Sequence, residues 1–309
     1  MAISHYLKEI GRGARGAKAL SREQAADLFG QVLDGQVTDL EIGAFCIAMR
    51  IKGETAEEMC GFLDSVHARI ARVSGGAAGR PVIVLPSYNG ARKLPVLTPL
   101  LALLLAREGL PVLLHGMRTE ARRILASDVL QALGVPAWDA PQTVAPGQVA
   151  HLRTELLHAG LARLLAVREV VGLRNPGHSV TKLLNPCAGP ALVVTSFTHP
   201  EYFDMLCNTF TTLRLNALLS RGLEGEVAAD PRRTPRYDAF LHGTHRVVQE
   251  QQPGTAADVP GLPTEIDVQT TADYTRRVLD GDLPVPPALA RQVEHILQLS
   301  TQTTAETTP

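Results

Sequence analysis

Aromatic residues are scarce, at 4% of 309 residues with a single Trp. The core is therefore left to Leu, Val and Ala, and base stacking on aromatic rings is demoted to a secondary way of holding a nucleic acid. Cysteine is scarce too. Cys46, Cys60, Cys187 and Cys207 lie far apart, none in a C-x-x-C and none with a histidine at ligand spacing. This argues against a disulfide framework and a structural metal, and predicts reduced thiols. A large excess of charge of either sign is missing, since the formal net charge is −1. No run approaches the roughly 18 uninterrupted apolar residues of a membrane span. The first ten residues contain Lys8 and Glu9 and no apolar core of signal-peptide type, so the expectation is a cytoplasmic protein.

What is present has the proportions of an ordinary globular chain, with 45% hydrophobic and 20% charged residues. The charge is unevenly spread. Residues 81–125 carry Arg92, Lys93, Arg107, Arg118, Arg122 and Arg123 against only Glu108 and Glu120, and the run from Lys8 to Arg22 is basic. Beyond Glu250 acids outnumber three arginines. A near-neutral total can conceal a basic face.

Three helical signals open the chain. Ser21 with Gln24, and Thr55 with Glu58, form capping boxes, in which each side chain serves the other's free backbone N–H. Between them Thr38 caps a segment whose Leu40, Ala44, Ile47, Ala48 and Ile51 recur at helical spacing, which predicts a stripe packed on the core. Met59, Phe62, Leu63, Val66 and Ile70 form the third stripe before a Ser74-Gly75-Gly76 break. From Arg80 the pattern changes to Val82–Leu85, Leu97–Arg107, Val112–Leu114 and Ala121–Leu133, then Leu192–Thr195, Glu201–Leu213 and Asn216–Leu219. Short β-like runs alternating with helical ones imply βαβ crossovers. A long polar loop over 249–263 and two helices, around 272–279 and 287–299, complete the chain. The predicted architecture is a small all-helical N-terminal domain, residues 1–76, and a larger α/β domain, residues 77–309, with a mainly parallel sheet.

Ligands on such sheets gather outside the carboxyl ends of strands, which points to the loops after Leu85, Leu114, Thr195 and Leu219. The loop Ser87-Tyr88-Asn89-Gly90-Ala91-Arg92-Lys93 follows a strand and precedes a helix that Pro95 helps to start. Its free amides, Ser87 and two cations suit a phosphate at a helix N-terminus. The loop Leu114-His115-Gly116-Met117-Arg118-Thr119 opens one βα unit later, on the same rim.

These motifs resemble anthranilate phosphoribosyltransferase and its nucleoside-phosphorylase-like class. His115-Gly116-x-Arg118, the run Ser127 to Gly134, Val167-Arg168-x-x-Val171-Gly172-x-Arg174 and Leu184-Asn185-Pro186 fall in that family's order over roughly residues 1 to 225. The resemblance implies a helical domain on an α/β domain and a dimer through the helical part. It also implies a remnant pocket of Ser87, Asn89, Gly90, His115, Gly116, Arg168 and Asn185. Arg168 would help to hold an aromatic acid, or else Arg168 and Asn185 brace the junction between domains.

The departures from the family's pattern carry as much information. Where the enzymes have the G-T-G-G-D loop for the donor pyrophosphate, this chain has Ser87-Tyr88-Asn89-Gly90-Ala91, and N-I-S-T is replaced by Leu94-Pro95-Val96-Leu97. The magnesium-holding D-E pair would fall near Val227 and Ala228, with Glu224, Glu226 and Asp230 close by as an alternative, shifted site. Pentosyl transfer from a pyrophosphate needs metal and donors together. The pattern is similar to a divergent DNA-binding branch of the same fold. Hence the first expectation is a homodimer that binds nucleic acid without sequence preference through Arg92, Lys93, Arg118, Arg122 and Arg123, helped by Lys8, Arg12, Arg15 and Lys18, with no cofactor. The alternatives are an active phosphoribosyltransferase using Mg and phosphoribosyl pyrophosphate, and a small-metabolite sensor or scaffold.

Overall fold

The computed structural model describes residues 3–13, 15–75, 80–256 and 258–303. The expected domain boundary between residues 76 and 77 lies outside them. Four helices open the chain: α1 (Ser4–Ile10), α2 (Arg22–Leu33), α3 (Asp39–Lys52) and α4 (Ala56–His67). The first leaves little trace in the sequence, because it has no side-chain cap and only two buried residues, Tyr6 and Ile10. The other three start on capping boxes, Ser21/Gln24, Thr38/Glu41 and Thr55/Glu58. Glu58 also ties neighbouring segments together, accepting the Leu20 amide at 2.9 Å and Lys52 Nζ at 2.6 Å.

The face that α3 buries corrects the sequence reading. Ile42, Phe45, Cys46 and Met49 are inside, whereas Leu40 is 84% exposed, Ile51 63% and Ile47 37%. The helix is apolar on both sides. Its orientation is decided by an aromatic cluster in which Phe29 stacks on Phe62 at 4.7 Å and Phe45 meets both rings edge-on. The stripe beginning at Leu40 is left facing outward.

The rest of the chain alternates strands and helices: β1 (Val82–Pro86), α5 (Thr98–Arg107), β2 (Val112–Gly116), α6 (Ala126–Ala132), β3 (Val149–Arg153), α7 (Thr154–Leu157), α8 (Ala159–Val171), α9 (Pro176–Leu183), β4 (Ala191–Phe197), α10 (Phe203–Thr212), β5 (Ala217–Arg221), β6 (Tyr237–Leu241), β7 (Thr244–Gln249), α11 (Val268–Leu279) and α12 (Pro287–Thr303). The sheet order is β3-β2-β1-β4-β5-β6-β7. The first five strands are parallel, and β6 and β7 add an antiparallel hairpin at one edge. Alternation along β1 divides the core. Val82 and Val84 join a cluster shared with α8, α10 and the N-terminal helices, while Ile83 and Leu85 join α5, α6, α11 and α12 on the other face.

Two local expectations fail. Residues 121–125 are not helical, because Ile124 exchanges backbone hydrogen bonds with Ala91 at 2.8 and 3.1 Å, and α6 starts only at Ala126. Pro95 lies before the helix rather than at its start, since α5 begins at Thr98 with Pro99 in its first turn. The strand β3 and the β6–β7 hairpin have no counterpart in the sequence reading. Both lie toward sheet edges, where apolar runs are short.

The sheet reverses direction of growth at β1, which has β2 on one side and β4 on the other. This switch point creates a crevice at the carboxyl ends of the strands. The N-terminal helices pack beside it, with α4 against α9 and α10, and α2 and α3 against α8.

Candidate functional site

A cleft of about 950 Å³ lies along the carboxyl ends of the strands, walled by the end of α3, the loops after β1, β2, β4 and β5, and the segment from α8 to α9. Ten Lys and Arg side chains line it against five Asp and Glu. The chain's net charge of −1 thus conceals a basic concavity.

The loop after β1 is folded around the protein's own acids. Gly90, at φ 65°, makes the left-handed turn, and a β-carbon there would lie 2.6 Å from the Ile124 carbonyl. Glu226, only 5% exposed, accepts from the Gly90 amide at 2.8 Å and the Asn89 amide at 3.2 Å through Oε1. Its Oε2 accepts from Ser87 Oγ at 2.7 Å and Thr98 Oγ1 at 2.9 Å. Glu224 Oε2 accepts the amides of Arg92 at 3.0 Å and Lys93 at 2.9 Å. The amides expected to be free for a phosphate are therefore occupied by two carboxylates, a correction to the sequence reading. The physical reason is that buried N–H groups must find an acceptor, and a carboxylate, like a phosphate, offers anionic oxygens.

The same geometry bears on magnesium. Val227 and Ala228 are buried, and Asp230 is taken up by Arg232 at 2.9 Å and Arg233 at 3.6 Å. With Glu224 and Glu226 turned onto the β1 loop, these acids do not converge. Among the described residues no group of three His, Cys, Asp or Glu could hold a metal. The residues present do not fit a shifted magnesium site.

The sequence-predicted cations are distributed over three places. Arg92 and Lys93 are exposed at the cleft wall, Arg92 Nε lying 3.5 Å from Glu224. Arg123 belongs to the wall but is buried, holding Glu120 at 3.0 Å, Glu224 at 3.5 Å and the Gly90 carbonyl at 3.2 Å. Arg118 reaches Asp128 at 2.6 Å and the Arg123 carbonyl at 2.9 Å; it and Arg122 are exposed outside the cleft. Lys8, Arg12, Arg15 and Lys18 lie along the N-terminal segment, Arg12 pairing with Glu9 at 2.8 Å, and none of them lines the cleft.

The family-type pocket residues divide likewise. His115 is wholly buried at the end of β2, with Nε2 3.2 Å from the Leu184 carbonyl, and burial pushes its pKa down to about 4. Gly116 is required there, because any β-carbon would collide with the Ser87 carbonyl. Arg168 lines the cleft and binds Glu120 at 2.7 Å and Thr119 at 3.2 Å. Burial pushes the Glu120 carboxyl up, but Arg123 and Arg168 together outweigh this and hold it below the usual range. Asn185 sits at the junction with the helical part, where its carbonyl accepts from Arg72 at 3.3 Å and its amide donates to His67 Nε2 at 3.4 Å.

The binding set expected from the sequence left out further cations that line the cleft, among them Arg174, Lys182, Arg221 and Arg233. Arg174 stands inside one of the family-like motifs, and Arg221 lies two residues beyond the strand-like run that ends at Leu219. Lys182 had a signal of its own, lying one helical turn after His178 on α9, so that both point the same way.

Residues 4–69 match a family described as "Glycosyl transferase family, helical bundle domain". Protein YbiB of Escherichia coli is 38% identical over 299 residues, covering 95% of this chain and 92% of that one. An anthranilate phosphoribosyltransferase of Methylobacterium nodulans is 32% identical over 186 residues, which is 59% of this chain and 53% of the enzyme. Among solved structures, anthranilate phosphoribosyltransferase from Thermus thermophilus aligns with a TM-score of 0.74 at 21% identity, over 97% of this chain and 89% of that one, a likeness of fold.

Proposed function

We propose that this chain, which belongs to one family with protein YbiB of Escherichia coli and shares the fold of anthranilate phosphoribosyltransferase, is a homodimer that binds nucleic acid, DNA in the first place, without sequence preference. The observation that carries this reading is the capture of the β1 loop by Glu224 and Glu226. A loop whose amides already hold carboxylates is poorly suited to a donor pyrophosphate, whereas the surrounding cleft keeps its excess of cations. That combination favours holding phosphates over transferring a pentosyl group from one.

Arg92, Lys93 and Arg221, all exposed at the cleft, are the proposed first contacts to the phosphate backbone. Arg118, Arg122 and the buttressing Arg123 extend the rim in this proposal, and Lys8, Arg12, Arg15 and Lys18 supply further charge. The outward stripe of Leu40, Ile47 and Ile51 is the proposed self-association face. A dimer presents two clefts to one polymer and so raises avidity without new contacts.

The test is binding of unrelated oligonucleotides over a salt series. Log affinity should fall linearly with log salt, and Arg92→Ala/Lys93→Ala/Arg221→Ala should reduce the slope by about two to three units while weakening all sequences alike. An unchanged slope, or no binding at low salt, would sink the reading and favour a transferase.

A further inference from the structure

Within the cleft, around α9 and the end of β4, lie four polar groups with little to satisfy them. Lys182 Nζ donates to the Ser196 carbonyl at 2.9 Å, and Arg174 donates to Asn89 Oδ1. Among the described residues neither cation makes an ion pair. The acid felt by Lys182 is Glu226, whose oxygens are already spent on four donors. Burial and Arg174 push the Lys182 amine down to about 8, still cationic for the most part at neutral pH.

Two neutral groups complete the arrangement. Ser196, 1% exposed, lines the cleft with its Oγ unpartnered. His178, 2% exposed, has its Nδ1 taken up by Asn175, lying 3.2 Å from both that residue's amide nitrogen and its Oδ1, while its Nε2 has no partner. Buried donors are rarely left unsatisfied without a role. The backbone has been brought close to make this recess. A β-carbon on Gly222 would lie 2.5 Å from Ser196 Oγ, and one on Gly225 would collide with Asn89 and sit 3.3 Å from Lys182 Nζ.

We propose that Lys182, Arg174, Ser196 and His178 form a site for a phosphate monoester dianion, bordering the β1 loop but independent of its captured amides. Two unpaired cations match the charge of about −1.5 to −2 that a monoester carries at neutral pH, where its second ionisation is largely complete. A backbone diester carries one charge and needs room for chain on both sides. A terminal phosphate needs room on one side only. The ligand is thus either the 5′-phosphate end of a nucleic acid, which rests on the binding reading above, or a small free phosphate, which does not.

The measurement is anisotropy with one single-stranded DNA oligonucleotide in 5′-phosphorylated and 5′-hydroxyl forms, alongside thermal melts in inorganic phosphate. Wild-type protein should prefer the phosphorylated end by about tenfold, as expected for charge-assisted bonds made to one end only. The ratio should fall to near one in Lys182→Met and to an intermediate value in Ser196→Ala, which carries the test should the first variant not fold. Inorganic phosphate should raise the melting temperature of wild type and not of Lys182→Met. If both oligonucleotides bind equally and phosphate has no effect, the site is refuted and the nucleic-acid reading stands. If neither oligonucleotide binds yet phosphate stabilises wild type alone, the site stands with a small phosphate as its ligand and the nucleic-acid reading falls. Equal preference or equal phosphate stabilisation in wild type and both variants overturns the proposal.

Discussion

Removing the Glu226 carboxylate tests whether the β1 loop is closed from within. In Glu226→Ala the amides of Asn89 and Gly90 lose their acceptor in a buried setting, while the hydroxyls of Ser87 and Thr98 can turn elsewhere. Each stranded buried donor costs about 1–3 kcal/mol, and bonds to a charged acceptor lie toward the upper end. The variant should therefore lose about 3–5 kcal/mol, read as a fall of roughly 5–8 °C in melting temperature. Glu226→Gln keeps one carbonyl oxygen for the two amides and lets the hydroxyls accept from its NH₂, so it should cost only about 1 kcal/mol. An open set of amides should then take an anion. Pyrophosphate at about a hundred times its dissociation constant returns about 2.7 kcal/mol to the alanine variant, a gain beyond any seen with wild type. A loss under about 1 kcal/mol for the alanine variant, or equal stabilisation of both proteins by pyrophosphate, would refute the reasoning.

Stability should fall in mild acid, because burial pushes His115 and His151 down to about 4 and His178 to about 3. The unfolded chain binds protons near 6.5 and the folded one does not, so this stability is present above about 6.5 and lost as pH drops toward about 4, at up to about 1.4 kcal/mol per pH unit for each histidine. Urea midpoints that stay flat between about pH 7 and 5 would contradict it. Light scattering should give the dimer mass, and Leu40→Lys with Ile51→Lys should give the monomer with an unchanged circular dichroism spectrum, since both side chains are exposed. Incubation with anthranilate, phosphoribosyl pyrophosphate and excess magnesium should yield no sustained turnover; turnover abolished by Arg168→Ala would restore the transferase reading.

The parts of the fold that are legible in the sequence are those decided within a few residues. A capping box joins positions three apart, and helices start at Ser21, Thr38 and Thr55, where the sequence places them. Strand and helix alternation likewise implies the parallel sheet, and with it the rim on which the cleft opens. The outward face of α3 is not legible, because both of its sides are apolar and the choice depends on Phe29 and Phe62 in other helices.

The closure of the β1 loop is hidden for a related reason, since Glu226 lies 136 residues from the Gly90 amide it accepts. An indirect signal is nevertheless present. A loop that folds around a phosphate has donors whose acceptor arrives with the ligand. When such a loop keeps its N–H groups and Ser87, gains Asn89, and still has to fold, an acceptor must come from the chain itself. The other strand ends on the same rim are the places close enough to supply one, and β5, two places along the sheet from β1, is followed within five residues by Glu224 and Glu226. Acids beyond one parallel strand, read against donors beyond another on the same rim, point to an internal anion as readily as to a metal. The discriminating feature is the number of donors that each acid must satisfy. Glu226 has four, which leaves it no capacity for magnesium and makes the unpaired Lys182 beside it the group that calls for a ligand.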